Sequence, residues 1–244
     1  MILITGGNGL LGKTLAPKFQ QVRITSRSAT GPNAVRSDLA TGEGIQEAVE
    51  GVEVIIHAAS SPAKTREIDV EGTRRLLEAA PYVKHFIYVS IVGVDRHPLP
   101  YYKLKYEVEK LVMQSPVPWT IVRATQFHPF VELILSKLMA LPIGILPAKW
   151  QVQPIDVEDV ATFLVQCASE KPTYRVLNIG GPSVHRIDEL AKTWLAAQGR
   201  RKPFIQVPFP GAISAGYRNG WNTVPQEAYG KIRWTDWLQQ KFSG

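Results

Sequence analysis

The chain has 244 residues, with 28 Lys+Arg against 21 Asp+Glu for a formal charge of +7, and 45% hydrophobic against 20% charged residues. That composition excludes a disordered chain, a collagen-like repeat and a disulfide-stapled scaffold, and the length is enough to bury a proper core. The single cysteine, Cys167, lies in a helical-looking run and reads as an inert buried thiol, so neither an internal disulfide nor a thiolate metal cage is expected and no metal site is assigned.

Met1-Ile2-Leu3-Ile4 is too short for a signal-peptide core, since glycines follow at once. The longest apolar candidate, residues 130–146, is interrupted by Glu132, Lys137, Pro142 and Gly144, short of the ~18 uninterrupted apolar residues that a bilayer span needs. A cytoplasmic location without a membrane partner is expected. The basic residues are scattered, and their densest cluster, Arg200-Arg201-Lys202, has no aromatic-interleaved stripe around it, so no nucleic-acid partner is expected either. A modest positive field suits a small molecule that carries phosphates.

In chain order, residues 2–5, 22–25, 52–57, 86–90 and 119–123 are short, rich in Val and Ile and bounded by turn residues, which predicts strands. Several are apolar on successive positions, as strands buried on both faces are. Between them, residues 9–20, 44–51, 69–80 and 101–114 predict helices. In residues 69–80, Val70, Thr73, Leu76, Leu77 and Ala80 recur at helical spacing behind Asp69 as N-cap. Regular alternation of strand and helix implies an α/β, doubly wound parallel sheet with helices on both faces. After Thr125 prolines multiply. Two more units follow there, 152–155 into 157–168 and 175–179 into 187–198, before a Pro- and aromatic-rich tail. The expectation is one domain over residues 1–244, with roughly 126–150 and 200–244 contributing a small substrate lobe.

The first strand runs into Thr5-Gly6-Gly7-Asn8-Gly9-Leu10-Leu11-Gly12, which sets Gly6, Gly9 and Gly12 at a strand-to-helix junction. Such a loop makes a tight turn, lets bare backbone approach a pyrophosphate and packs the helix closely on the strand. The amides of Leu10 and Leu11 open the helix toward the phosphates. A dinucleotide cofactor follows. At the end of the second strand stands Thr25-Ser26-Arg27-Ser28, where a carboxylate would repel a 2′-phosphate but Arg27, with Ser26, binds one. NADP is therefore favoured, with NAD as the alternative. Asp38 and Leu39 are placed against the adenine, and His57-Ala58-Ala59 under the ribose, the loop backbone mattering there more than the imidazole.

Reducing a carbonyl requires a proton for the developing alkoxide. Ser90 ends the strand at 86–90, and Tyr101 and Lys105 follow one helical turn apart. With Leu104, Val108, Leu111 and Val112 as the inward stripe, Tyr101 and Lys105 fall on a flank that faces a cleft. An ammonium about 4 Å from the phenol, at an effective dielectric near 20, contributes on the order of 4 kcal/mol, roughly three pKa units in favour of the phenolate. Ser90 is expected to hold the substrate oxygen.

With these residues the chain resembles the short-chain dehydrogenase/reductase superfamily, in its atypical, extended-like branch that includes NmrA-like NAD(P)H-binding proteins. The matching pieces are Gly6-x-x-Gly9-x-x-Gly12, His57-Ala58-Ala59, residues 69–80, Ser90 with Tyr101-x-x-x-Lys105, and residues 123–128, with 154–161 and 178–182 further on. The likeness covers roughly residues 1–200. It implies a Rossmann-like fold with a small C-terminal substrate lobe and Ser90, Tyr101 and Lys105 as a catalytic trio. Lys105 would also bond the nicotinamide ribose, and Ala124, Thr125 and Phe127 would carry the nicotinamide end. Gln126 and His128 stand either on the substrate side or in a polar loop. The function implied is reduction of a carbonyl or quinone of a small molecule by hydride transfer. The alternative is a non-catalytic NAD(P)-sensing regulator of the NmrA-like kind, and sugar-nucleotide epimerisation is a third, for which the chain is rather short. The oligomeric state is not legible.

Overall fold

Runs of Ile, Leu and Val too short to make a helix of useful length bury themselves as strands, and the intervening amphipathic segments cover the two faces they form. In the computed structural model, which describes residues 1–243, the strands are β1 (Ile2–Thr5), β2 (Val22–Ser26), β3 (Ala34–Arg36), β4 (Val54–His57), β5 (His85–Ile91), β6 (Trp119–Ala124), β7 (Gly144–Pro147), β8 (Gln151–Val152), β9 (Val176–Ile179), β10 (His185–Arg186) and β11 (Phe204–Val207). The helices are α1 (Leu10–Leu15), α2 (Ile45–Val49), α3 (Gly72–Ala79), α4 (Pro100–Gln114), α5 (His128–Leu138), α6 (Val157–Ser169), α7 (Ile187–Ala197), α8 (Ala212–Arg218) and α9 (Trp234–Phe242). The chain divides into two compact units. Met1–Ser90, Pro100–Arg123 and Ala161–Leu177 form the first, and Ile91–Leu99, Ala124–Val160 and Asn178–Gly244 the second. The segments expected to make a lobe, 126–150 and 200–244, belong to the second.

The first unit is built on a parallel sheet of order β3-β2-β1-β4-β5-β6-β9. The chain runs outward from β1 to β3 and then returns to place β4 against the other side of β1. That reversal opens a crevice beyond the carboxyl ends of the strands. Register sets what stands there, because Thr5 of β1 pairs with Thr25 of β2 and with His57 of β4. Leu3, Ile55, Phe86 and Ile121 from the sheet pack with Leu76, Val108 and Val112 from the helices.

Three local departures from the sequence expectations have physical causes. The helix expected over 9–20 stops at Leu15 and tightens into a 3₁₀ turn, Ala16–Lys18, because Pro17 has no N–H to continue the ladder. The helix expected to begin at Asp69 begins earlier, through a π-helical turn at Arg66–Glu71, so Asp69 is no N-cap but a buried residue inside the helix. On α4 the buried face carries Tyr102, Lys105, Val108, Glu109 and Val112, while Leu104 is only half-buried. Lys105 is therefore inside rather than on a flank. Two charged side chains sit on that face because each finds a buried counter-charge, Lys105 with Asp69 and Glu109 with Arg123.

In the second unit β7 pairs with β11 in parallel and β8 with β10 antiparallel. Helices α5, α7 and α9 close on a core of Val131, Leu135, Trp194, Leu195, Trp234 and Leu238. The sequence reading had placed neither β7 nor β11. Pro142, Pro147, Pro203 and Pro208 read as breakers, yet they lie before or at the ends of these short strands, where a missing donor costs nothing. The strand expected at 152–155 reduces to β8 and an isolated bridge from Ile155 to Phe127. Among the described residues no helix is long and apolar enough to cross a membrane.

Candidate active site

A cavity of about 280 Å³ lies at the carboxyl ends of β1, β2 and β4. Gly6, Gly9, Ser26, Arg27, Asp38, Leu39, Ala58 and Ala59, all assigned to a cofactor from the sequence, line it together with Asn8, Ser28, Ser60 and Ser61. The turn that shapes it needs glycine. Gly6 has φ +70°, and a Cβ there would meet the Ala59 Cα at 2.8 Å. A Cβ on Gly12 would meet the Gly6 carbonyl oxygen at 2.4 Å and the Gly7 Cα at 2.7 Å, so Gly12 sets how closely α1 approaches the loop.

Arg27 is exposed and has no ion-pair partner among the described residues, leaving its guanidinium available to an anion. Asn8 donates to the Ser28 backbone carbonyl at 3.2 Å and its hydroxyl at 3.1 Å, tying the glycine loop to the end of β2. Asp38 closes a local turn by accepting the Ala40 amide at 2.8 Å. Leu10, Leu11, Gly12 and His57 are not among the cavity walls. His57 is fully buried behind them, bonded at 2.6 Å to Thr5 and at 2.8 Å to Thr73. Burial first, then the Lys105 charge, push its pKa down to about 3, so it is a neutral brace.

The predicted trio does not meet directly: Tyr101, through Ser60, and Lys105 converge on Asp69, a residue the sequence reading missed, while Ser90 is held by Glu109. The Tyr101 hydroxyl and Ser60 Oγ are 2.7 Å apart, Ser60 donates to Asp69 Oδ1 at 2.6 Å, and the Ser61 amide donates to Asp69 Oδ2 at 2.9 Å. The Lys105 ammonium lies 3.6 Å from Asp69 Oδ1, donates to the Val89 carbonyl at 3.2 Å, and sits 4.4 Å from the centre of the Tyr88 ring. Lys105 is 2% exposed, and that burial lowers its pKa, against which Asp69 acts. The Tyr101 phenol is pushed up to about 12, by burial foremost and by the Asp69 charge, against the Ser60 hydrogen bond that lowers it. The expected lowering by Lys105 is not what governs it, because the ammonium is spent on Asp69 and Val89. Ser90 is buried and donates to Glu109 Oε1 at 2.5 Å, and Glu109 is held by Arg123 through bonds of 2.8 and 2.6 Å. The signal for Asp69 was present as an acid on an otherwise apolar helical stripe, but an N-cap explained it equally well.

Ala124, Thr125, Gln126, Phe127 and His128 belong to the second unit. Thr125 accepts the Gly181 amide at 3.2 Å, and Gln126 exchanges hydrogen bonds with Asn222, so both are fixed internally. His128 is buried 3.1 Å from Asp156 and against the rings of Trp234 and Trp237. Cys167 is buried, and burial pushes its thiol up to about 12, which keeps it un-ionised. Among the described residues no three His, Cys, Asp or Glu side chains are arranged to hold a metal ion.

The NAD(P)H-binding family matches residues 15–171 of the chain. A photosystem II assembly factor, Ycf39, of Trieres chinensis is 27% identical over 186 residues, covering 68% of this chain and 58% of that protein. The chloroplastic divinyl chlorophyllide a 8-vinyl-reductase of Oryza sativa subsp. indica is 26% identical over 257 residues, covering 85% of this chain and 61% of the relative. In fold, the NADPH-dependent quinone oxidoreductase QOR2 of Escherichia coli, solved with NADPH, superposes with a TM-score of 0.82 at 18% identity, over 99% of this chain and 100% of that one.

Proposed function

The chain belongs to the NAD(P)H-binding family, and from that premise we propose that it is an NADPH-preferring reductase acting on a carbonyl or quinone of a small molecule. The observation that carries this reading is the 2.7 Å contact between Tyr101 and Ser60, because Ser60 is itself a wall of the cavity and so sets a protonated phenol beside it. The walls fit the cofactor chemically: bare glycine backbone for a diphosphate, Arg27 with Ser26 and Ser28 for a 2′-phosphate, and Leu39 for the face of an adenine.

Bound NADPH supplies a hydride. Tyr101, un-ionised through the neutral range, donates its hydroxyl proton to the oxygen that becomes an alcohol or hydroquinone. Ser60 then lies at hydrogen-bond distance from the phenolate oxygen and Asp69 fixes Ser60, while Lys105 supplies the positive charge of the cluster. Ser90 reaches a substrate oxygen only by giving up its bond to Glu109, so within the proposed trio Tyr101 and Lys105 have the direct parts. Residues 126–150 and 200–244 of the second unit are proposed to choose the substrate. The reductases among the relatives favour turnover over cofactor sensing.

The test is NADPH and NADH titration by tryptophan fluorescence, followed by oxidation assays against aldehydes, ketones and quinones. Arg27→Asp is expected to weaken NADPH by about 10- to 100-fold, the worth of a charge-assisted phosphate contact, and to spare NADH. Tyr101→Phe is expected to lower kcat with carbonyl substrates by about 10²- to 10⁴-fold at unchanged NADPH affinity. Full turnover in Tyr101→Phe removes Tyr101 as the acid, and tighter binding of NADH by the unmodified chain overturns the cofactor preference.

A further inference from the structure

Two stretches of the second unit contain no acidic residue. Between Glu132 and Asp156 stand Lys137 and Lys149, and between Glu189 and Glu227 stand Lys192, Arg200, Arg201, Lys202 and Arg218. The fold joins these stretches side by side. Strands β7 and β11 pair with Ile145 opposite Ile205, the Gly144 amide donates to the Pro203 carbonyl at 2.9 Å, and the Lys202 ammonium donates to the Met139 carbonyl.

Residues opposite one another on paired strands share a face, and alternate residues along a strand share it too. Gly144 and Leu146 turn inward and are buried, so Ile143, Ile145 and Ile205 form the outward row. Leu141, Ile143 and Ile205 are each more than half exposed. At the entry end of this ribbon, where Lys202 and Pro203 lead into β11, a shallow depression of about 560 Å³ is lined by Lys192, Leu195, Arg200, Arg201, Lys202 and Phe204. Among the described residues Arg201 has no partner, Arg200 has only the neutral Gln198, and Lys192 alone has a carboxylate nearby, Asp188 at 3.7 Å.

We propose that this end of the β7–β11 ribbon adsorbs to an anionic phospholipid surface, with Leu141, Ile143 and Ile205 entering the headgroup–acyl boundary and Arg200 and Arg201 meeting lipid phosphates. Charge and shape choose this occupant. A second copy would bring like charges together. A nucleic acid would be offered aliphatic side chains, where single-strand binders present aromatic rings on which bases stack. Adsorption needs no spanning helix, so it departs from the sequence-level expectation of no membrane partner without requiring a transmembrane segment.

Flotation of the full chain with vesicles tests the proposal, using phosphatidylcholine alone and an equal mixture of phosphatidylcholine and phosphatidylglycerol. The chain is expected to float with the mixture, more weakly as salt rises, and not with phosphatidylcholine alone. Arg200→Ala/Arg201→Ala is expected to lower partitioning by about 30-fold, at roughly fivefold per cation. Ile143→Ser/Ile205→Ser, and separately Leu141→Ser on the preceding loop, are expected to lower it by about tenfold each while the thermal midpoint holds. Failure to float with the mixture overturns the proposal. So does binding that ignores every aliphatic substitution and is competed by heparin, which would mark a polyanion site. Self-association that Ile143→Ser/Ile205→Ser dissolves would mark the face as a contact between copies, and overturns it as well.

Discussion

Acid acts on the floor of the cavity through His57. Thr73 donates its hydroxyl to the Asp69 carbonyl, so toward His57 it is an acceptor and takes the Nε2–H at 2.8 Å. His57 Nδ1 is then the acceptor for the Thr5 hydroxyl at 2.6 Å, and Thr5 Oγ1 in turn accepts the Ala59 amide at 3.2 Å. Protonating Nδ1 would put a cation in a place sealed from water and within the field of Lys105, and would oblige the Thr5 hydroxyl to turn its proton away. This is why the folded pKa is down at about 3 against an ordinary 6.5. The unfolded chain therefore takes up the proton first. Stability from this group is fully present above about pH 6.5 and is lost as pH falls toward 3, at up to ~1.4 kcal/mol per pH unit. Between pH 6.5 and 4.5 the expected loss is about 2–3 kcal/mol, or roughly 5–10 °C in Tm for a chain of this size. The assay is urea unfolding across that range for the unmodified chain and for His57→Gln, which keeps a donor and an acceptor but does not titrate. His85, His97 and His185 are also held low by burial, so the difference between the two proteins is the measurement. Parallel pH dependences would refute the assignment of His57 as a neutral brace.

The same geometry yields three further expectations. Gly12→Ala drives a Cβ into backbone that has no side chain to swing aside, so a loss of about 1–3 kcal/mol in stability and loss of NADPH binding are expected. Gly9→Ala, whose Cβ meets only the Gly6 carbonyl oxygen at 3.1 Å, should fold normally by the same denaturation and titration assays. Glu109→Gln removes the carboxylate charge paired with the Arg123 guanidinium, which is 10% exposed, and is expected to cost about 3–5 kcal/mol. Calorimetry of Glu109→Gln/Arg123→Met should recover more than half of that, and no recovery would deny the pairing. Cys167 should resist iodoacetamide at pH 8 until the chain is unfolded, and rapid labelling of the native protein would contradict its burial.

The fold was legible because its decisive signals are local. A strand that is apolar on successive residues, then glycines at a helix entry, then another such strand, leaves a parallel sheet as the economical arrangement, and β1, β2, β4, β5 and β6 lie where that pattern placed them. Strands β3, β7 and β11 escaped for the converse reason. Strand β3 has three half-exposed or exposed residues with no apolar run, and β7 and β11 are bounded by prolines that speak as loudly for turns as for strand ends. The cavity residues from Gly6 to Ala59 were legible because backbone shape, not side-chain partnership, makes that site.

The residues proposed for proton transfer were only half legible, because which face of α4 is buried depends on partners far away in sequence. Apolar residues alone gave an inward stripe through Leu104 and Leu111. The helix instead turns Lys105 and Glu109 inward, since Asp69 and Arg123 are there to neutralise them, and an amphipathic pattern carries no record of that. The π-helical turn at Arg66–Glu71 belongs to the same argument. One extra residue in the turn brings Asp69 to Ser60, Ser61 and Lys105 at once, and a regular helix begun at Asp69 would have spent the carboxylate on capping amides. A carboxylate with every oxygen engaged and its counter-charge buried beside it fixes Ser60, and through Ser60 it fixes the hydroxyl of Tyr101. The acid of the proposed reaction is therefore positioned from the opposite side to the one the Tyr-Lys spacing indicates, and Asp69→Asn should disturb Tyr101 more than Ser90→Ala does.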